Sequence, residues 1–390
     1  MTSTNLVIDI TGIQQETVLL VAHYDSTGET VGSEGATDNG AGTSALLALA
    51  KALWDLHPDN VPYSVRILWT GAEENGLHGA MAYVTRALEN GELKHVRAVI
   101  NLDTVGGGDF LYVHSAHSAY TEYSHECEAL GLSQTNYTYS PVVRDQLLSA
   151  SAQTDSVANV FIIHPDFPGY PRGETGSWSD HAPFACAGLP IGYVETTNFN
   201  IDGHNHYDGY SQTTNPLMWD CFNASLVSAC DRDTEMKWGK IWHTQFDRLD
   251  MLDTAFPGRV REQLGDTVDS LVTFLTHDTF MRAVVASDWA ATANAFGGIH
   301  AASQIETGAG ATLFHTERTT SSHTQTLVIS AVAVIVGVLA IGSLLVAGKR
   351  ALRWYRYGQA VNQDGGESEC EEGSDLEDEV ILMRDVASDS

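Results

Sequence analysis

The feature that most constrains this chain is an alternation of two hydrophobic periods through its N-terminal part. ETVLLVAHYDS, Glu16 to Ser26, is a β-rich apolar run. GTSALLALAKALWDL follows, with Leu46, Leu49, Ala50 and Leu53 at helical spacing. YSVRILWTG, Tyr63 to Gly71, reads as a strand, GLHGAMAYVTRAL as a helix, and VRAVINLDTVG, Val96 to Gly106, as a strand again. TNLVIDITG, Thr4 to Gly12, already reads as an apolar strand and turn. Strands alternating with helices predict an α/β fold with a largely parallel sheet, whose functional groups gather beyond the carboxyl ends of the strands.

A chain of 390 residues that is 43% hydrophobic can bury a substantial core, one large domain with appendages. Its formal charge of −30 excludes nucleic acid as a partner, because a polyanion is repelled and no basic patch exists outside one short segment. The 5 cysteines, Cys127, Cys186, Cys221, Cys230 and Cys370, form no CxxC pair. Cys221 and Cys230 could pair if that part lies outside the cell; buried or free thiols are the alternative.

LVISAVAVIVGVLAIGSLLVA, Leu327 to Ala347, carries no charge and no polar face, and as a helix it spans about 30 Å, the thickness of a bilayer's hydrocarbon core. Lys349, Arg350, Arg353 and Arg356 follow it, which puts the C-terminus in the cytoplasm. Trp354 and Tyr355 suit the interfacial belt. The expected organisation is a globular domain over 1–284, an Ala, Gly, Ser and Thr-rich stalk over 285–326, a transmembrane helix over 327–347, and a tail over 348–390, first basic and then acidic and disordered. The large domain then lies outside the cell membrane. No charged and apolar leader precedes Thr4, so either Met1 is not the true start or the topology is reversed.

The carboxyl ends of the expected strands share a chemical bias. His23 and Asp25 follow the first run, Glu73 and Glu74 the second, and Asp103 the third; GATDNGAG places Asp38 in a glycine-rich loop entering a helix. One acid at a strand end is ordinarily a cap or a solvated loop residue. An imidazole with several carboxylates at one end of a sheet is the ligand set of a hydrolytic zinc site, with one ion or with two sharing a carboxylate.

These blocks resemble the M28 zinc metallopeptidases, which include bacterial secreted aminopeptidases. The matching stretches are HYDS at His23, GATDNGAG at Gly35, GAEENGLHGA at Gly71, NLDTVG at Asn101, SDHAPF at Ser179 and IWHTQFDRLD at Ile241, in order, over roughly 5–276. The resemblance implies a three-layer αβα domain with a mixed, largely parallel sheet, of the kind shared by zinc exopeptidases and phosphorylase-like hydrolases. It implies two zinc ions per chain: His23 and Asp103 on one, Glu74 and His243 on the other, Asp38 bridging. Glu73 is then the general base that takes a proton from the attacking water and returns it to the leaving amine. Adjacent residues of an extended segment point in different directions, so Glu74 can bind metal while Glu73 addresses the water.

Asp25 is expected to accept a hydrogen bond from the His23 ring and fix its tautomer. Asp180 and His181 are assigned to support rather than to metal. Asn39, Gly40 and Gly42 are read as turn residues, the glycines letting backbone pass close to the metals. His204 and His206 compete with His243 for the last ligand position; the closing block favours His243 and leaves the other two in a loop. The sequence departs from the family pattern in two places: the helix and the strand or two that family members carry ahead of Thr4 are missing, so a truncated or misassigned start is expected, and a long insertion lies between Glu195 and His243, where it is expected to shape the substrate cleft.

The expected activity is membrane-anchored aminopeptidase cleavage of peptide substrates. The alternatives are a single-zinc glutaminyl cyclase and a receptor-like ectodomain without catalysis; zinc content of two, one or none separates them. Asn136 and Asn223 match glycosylation triplets. The substrate side-chain preference and the oligomeric state are not legible.

Overall fold

A computed structural model describes residues 3–28, 32–56, 61–166, 169–199, 212–218 and 239–287. The apolar run 327–347, the acidic tail, Cys221, Cys230, Cys370, His204, His206 and Asn223 lie outside the described residues. Among the described residues, no helix is long and apolar enough to cross a membrane.

The strands are β1 (Leu6–Ile10), β2 (Gln14–His23), β3 (Tyr63–Thr70), β4 (Val96–Leu102), β5 (Phe110–Ala116), β6 (Glu174–Thr175) and β7 (Ile191–Thr197). They form one seven-stranded sheet in the order β1-β3-β2-β4-β7-β5-β6. The four central strands, β3, β2, β4 and β7, run parallel. β1 is antiparallel to β3, and β5 is antiparallel to β7. The expected α/β sheet is therefore present, parallel at its centre and mixed at its edges.

Local chemistry explains the elements. Val18 to Ala22 of β2 are buried on both faces, as a central strand without polar alternation must be. The edge strand β1 buries only Val7 and Ile10, and its Asp9 stands opposite Arg66 of β3, whose Nε donates to Asp9 Oδ1 at 2.6 Å. Helix α1 (Gly42–Leu56) is built from strong helix formers; it buries Ala45, Leu46, Leu49 and Leu53 and leaves Leu47 and Trp54 outside.

The remaining helices are α2 (His78–Glu89), α3 (Ser124–Ala129), α4 (Val142–Ala152), α5 (His181–Cys186), α6 (Leu249–Ala255), α7 (Arg259–Thr276) and α8 (Asp278–Val285). Val285, expected to open the stalk, is the last residue of α8. Successive residues of β7 show how the layers divide. Gly192 lies against Leu147 and Val143 of α4, while the Tyr193 ring sits 4.7 Å from that of His181 on α5. A strand's neighbours face opposite sides, so α4 and α5 cover opposite faces. α7 packs on α1, α4 and α8, and α2 and α3 pack on α5. The result is the three-layer αβα arrangement.

Two close approaches set the site's frame. Gly79, at the start of α2, sits so close to the end of β3 that a Cβ there would fall 2.4 Å from the Gly71 carbonyl oxygen. The turn between β3 and α2 is tight for that reason. The segment 103–109 leaves β4, passes over the end of β7 and enters β5 on its far side; at Gly108 an added Cβ would meet the Thr196 main chain at 2.5 Å.

A disulfide joins Cys127 of α3 to Cys186 of α5, with Cα atoms 5.0 Å apart. These thiols are bonded rather than free, because the fold packs α3 on α5; their separation of 59 residues gave no such signal.

Candidate active site

β2 delivers His23 to the carboxyl edge of the sheet, where the ring is buried. Its Nδ1 lies 3.0 Å from the main-chain carbonyl oxygen of Asp25, so Nδ1 carries the proton and donates it there. Nε2 is left facing two carboxylate oxygens, Asp38 Oδ1 at 3.2 Å and Asp103 Oδ1 at 3.4 Å. The tautomer is set as expected, but by the Asp25 main chain; its carboxylate stands 3.8 Å from Nδ1. That carboxylate instead accepts the N–H groups of Glu73 at 3.1 Å and Glu74 at 3.3 Å. An acid two residues past a strand end reaches the neighbouring turn more readily than its own strand's last ring.

Glu73 and Glu74 do not lie in an extended segment. Ala72 takes a left-handed conformation, φ 60°, and turns the chain immediately after β3. The two side chains still diverge, because a tight turn fans successive residues apart. Glu74 Oε2 lies 2.9 Å from His243 Nε2, and Glu74 Oε1 accepts the Thr27 N–H at 3.1 Å. Glu73 belongs with His23 and Asp103, one donor atom of each lying within 4.8 Å of the others. His23, Asp38 and Glu74 form a second such set.

Asp38 occupies the loop before α1, after Gly35 in the left-handed region and at a cis peptide bond with Asn39. Its Oδ2 lies 3.1 Å from His243 Nε2, so its two oxygens divide between the two imidazoles. Asn39 braces the loop: its Nδ2 donates to Leu102 O at 2.8 Å, and its Oδ1 accepts the Gly42 N–H at 3.0 Å. Asp247 holds the other side, accepting Thr37 N–H at 2.6 Å, Thr37 Oγ1–H at 2.8 Å and Asp38 N–H at 3.3 Å. His243, itself in a left-handed conformation, is carried by a small apolar cluster of Met218, Ile241, Phe246, Leu252 and Phe256.

Asp103 is oriented by Ser179, whose Oγ donates to Oδ2 at 2.7 Å and accepts from Asn101 Nδ2 at 2.8 Å. Asp180 is fully buried and accepts a hydrogen bond from Thr70 Oγ1. His181 lies further in: its Nε2 is 2.8 Å from the Gly176 carbonyl oxygen and 3.1 Å from the Tyr123 hydroxyl. It supports the frame through α5 and β7 and meets none of the expected ligands among these contacts. Ser179, Asn101 and Asp247 are the residues that sequence reasoning passed over. All three stood inside quoted blocks, and a polar side chain beside a candidate ligand was the available signal.

The electrostatics follow from this packing. Burial acts to discharge His23, but Asp103 and Asp38 face its ring and hold it well above the ordinary imidazole value. Burial likewise opposes a charge on His243, and Asp38 and Glu74 overcome it, raising the ring to about 10. Burial pushes Asp38 up, yet His23 and His243 outweigh it and hold its carboxyl below the usual range. Glu73 moves upward: burial dominates, His23 pulls it back, and Asp180, Asp103 and Asp38 add to the rise. Asp180 reaches about 7, chiefly through burial.

These residues fit a metal centre. An imidazole Nε2 with its lone pair turned toward two carboxylate oxygens is repulsive unless positive charge lies between them. A proton satisfies one such pair; a divalent cation satisfies all three donors, and imidazole with carboxylate is a zinc-type set. Asp38, with one oxygen toward each imidazole, is placed to serve two cations.

A mixed α/β sheet that gathers imidazoles and carboxylates at the ends of its parallel strands defines a metal-dependent hydrolase-like domain. The chain belongs to peptidase family M28, whose family model matches residues 5–268. It shares 28% identity over 239 residues with the alkaline phosphatase isozyme conversion protein of Escherichia coli K12, covering 60% of this chain and 56% of that protein. With aminopeptidase YwaD of Bacillus subtilis 168 it shares 43% identity over 89 residues, 23% of this chain and 18% of the relative. The chain thus spans about half the length of the first relative and a smaller share of the second. Among solved structures, BSAP, a zinc aminopeptidase from Bacillus subtilis, aligns at TM-score 0.43 and 22% identity over 70% of this chain and 50% of that one.

Proposed function

We propose that this chain is a zinc-dependent aminopeptidase that removes N-terminal residues from peptides outside the cell. The observation that carries the reading is the division of Asp38, with Oδ1 3.2 Å from His23 Nε2 and Oδ2 3.1 Å from His243 Nε2. On this reading His23, Asp38 and Asp103 hold one zinc, and Asp38, Glu74 and His243 hold the other. When bound, the ions polarise the scissile carbonyl and make the attacking water more acidic.

The chain's own groups do the rest. The Glu73 carboxylate takes the water's proton and delivers it to the leaving amine nitrogen. Asp25 fixes the Glu73 and Glu74 main chain, Ser179 aims Asp103, and Asp247 holds the Asp38 loop, so the groups meet substrate already oriented. A full set of five ligand candidates with a separate base favours hydrolysis over single-zinc cyclisation and over binding alone.

The proposal places the domain on the outer side of a membrane, held by 327–347. The Cys127–Cys186 disulfide supports an oxidising compartment. The full chain should stay with membranes after alkaline carbonate washing while a chain ended at 326 is released; release of both sinks the anchor.

The test of activity is release of nitroaniline from leucyl-nitroanilide by the detergent-purified full chain, with zinc counted on the same sample. Two zincs per chain and cleavage abolished by chelator are expected. One zinc with cyclisation of an N-terminal glutamine marks a cyclase, and no zinc marks a binding protein.

A further inference from the structure

Glu195 is an acid that none of these roles uses. It stands on β7 one residue beyond Val194, which pairs with Leu102 immediately before Asp103. Hydrogen bonds fasten the strand on both sides of it: Asp103 N–H donates to Val194 O, and Thr196 N–H donates to Thr104 O, at 3.1 and 3.0 Å. Val194 and Thr196 are wholly enclosed, whereas the Glu195 side chain keeps 11% of its surface, against 10% for Asp103. The acid thus reaches solvent to the same small extent as the ligand beside it.

We propose that Glu195 accepts the free α-ammonium of the substrate, an assignment that rests on the aminopeptidase reading. His114 Nε2 lies 3.0 Å from Glu195 Oε1. Burial keeps this imidazole neutral and, with Asp103 nearby, pushes Glu195 itself up to about 8, so only a cation brought against the acid stabilises its carboxylate form. Among the described residues no lysine or arginine pairs with Glu195, and an arriving ammonium supplies the missing countercharge. Aromatic rings gather beside it: Tyr112 pairs with Glu195 across the sheet, its ring 4.8 Å from that of Phe199, and the His114 ring lies 5.7 Å from that of Tyr193, all buried. The α-ammonium is separated from the scissile carbonyl carbon by a single atom. A substrate whose carbonyl sits at the Asp103 cluster therefore presents that charge at the sheet edge, where β7 adjoins β4.

The test is calorimetric binding to the zinc-loaded full chain of two probes that cannot be hydrolysed, leucinol and 4-methylpentan-1-ol, which differ only in the amine. The wild type should prefer leucinol by about 10- to 100-fold, the range of a charge-assisted hydrogen bond. Glu195→Gln should lose most of that preference with its zinc retained, and Glu195→Asp, which keeps the charge but withdraws it, should fall between. Should Glu195→Gln fail to fold, the Asp variant decides alone, an undiminished preference refuting the assignment. A preference unchanged in Glu195→Gln overturns it, as does a loss seen only with lysinol in place of leucinol. Binding that follows the amine through Glu195 without cleavage of leucyl-nitroanilide sinks the peptidase reading and leaves this assignment standing.

Discussion

Two pairs of enclosed histidines, each with one member in the sheet and one beside it, behave in opposite ways. At the end of β2 and in the loop before α6, His23 and His243 are driven toward positive charge; on β5 and at the start of α5, His114 and His181 are pushed down to about 3. Burial is the leading cause in the second group, aided for His114 by Arg144 and opposed for His181 by the Gly176 carbonyl. The same burial acts on the first group and loses to Asp38, Glu74 and Asp103. His114 Nε2 faces a single carboxylate oxygen, that of Glu195, whereas two carboxylates face Nε2 of His23 and of His243, so the candidate ligand histidines are told from the others by the number of acids before the ring and not by depth.

The comparison breaks most severely at the acid that faces the first group without binding there. Glu73→Gln keeps shape and removes the proton acceptor, so kcat should fall by about 10²- to 10⁴-fold with zinc content unchanged; activity within a few-fold of wild type would reject Glu73 as the base. Next come the histidines themselves. His243→Ala should weaken zinc binding by more than the ~10–100-fold that loss of an outer partner costs, while His181→Phe should keep its zinc and lose only a few degrees of melting temperature for the orphaned Gly176 carbonyl, roughly 1–3 kcal/mol. Zinc lost equally from both erases the distinction.

The smallest effect is a difference between melting curves. Glu73 and Asp180, the latter at about 7, have folded values above their unfolded ones. The fold prefers them protonated, so their contribution is complete below the ordinary carboxylate range and is lost as pH rises through about 7. A cation among them restores it. Chelation should lower the melting temperature by about a few degrees more at pH 8 than at pH 5, and an equal shift at both removes the electrostatic account.

Much of this was written locally. β2, α1, β3, α2 and β4 follow from runs whose period shows in the sequence, and the candidate site residues lie at or just past the carboxyl ends of β2, β3 and β4 and just before α1. His23, Asp38, Glu73, Glu74 and Asp103 were therefore legible, and the closing block supplied His243. β5 and β7 were not read, since their direction depends on how 103–109 passes over a strand made much later in the chain. Asp25 was assigned to the right partner through the wrong atom, because tautomer control by a main-chain carbonyl leaves no mark on residue identity. Ser179 and Asp247 act across 76 and 210 residues, and only the fold states which polar group they meet.

The clasp of Asp247 on Thr37 and Asp38, spanning 210 and 209 residues, also imposes an order of events on the ribosome. β2, β3 and β4 are translated early, each with its acid or imidazole in place, but the loop that must divide Asp38 between two imidazoles has neither its clasp nor His243 until the last third of the domain emerges. A nascent chain can thus assemble most of its sheet while the proposed metal cluster is still unfinished.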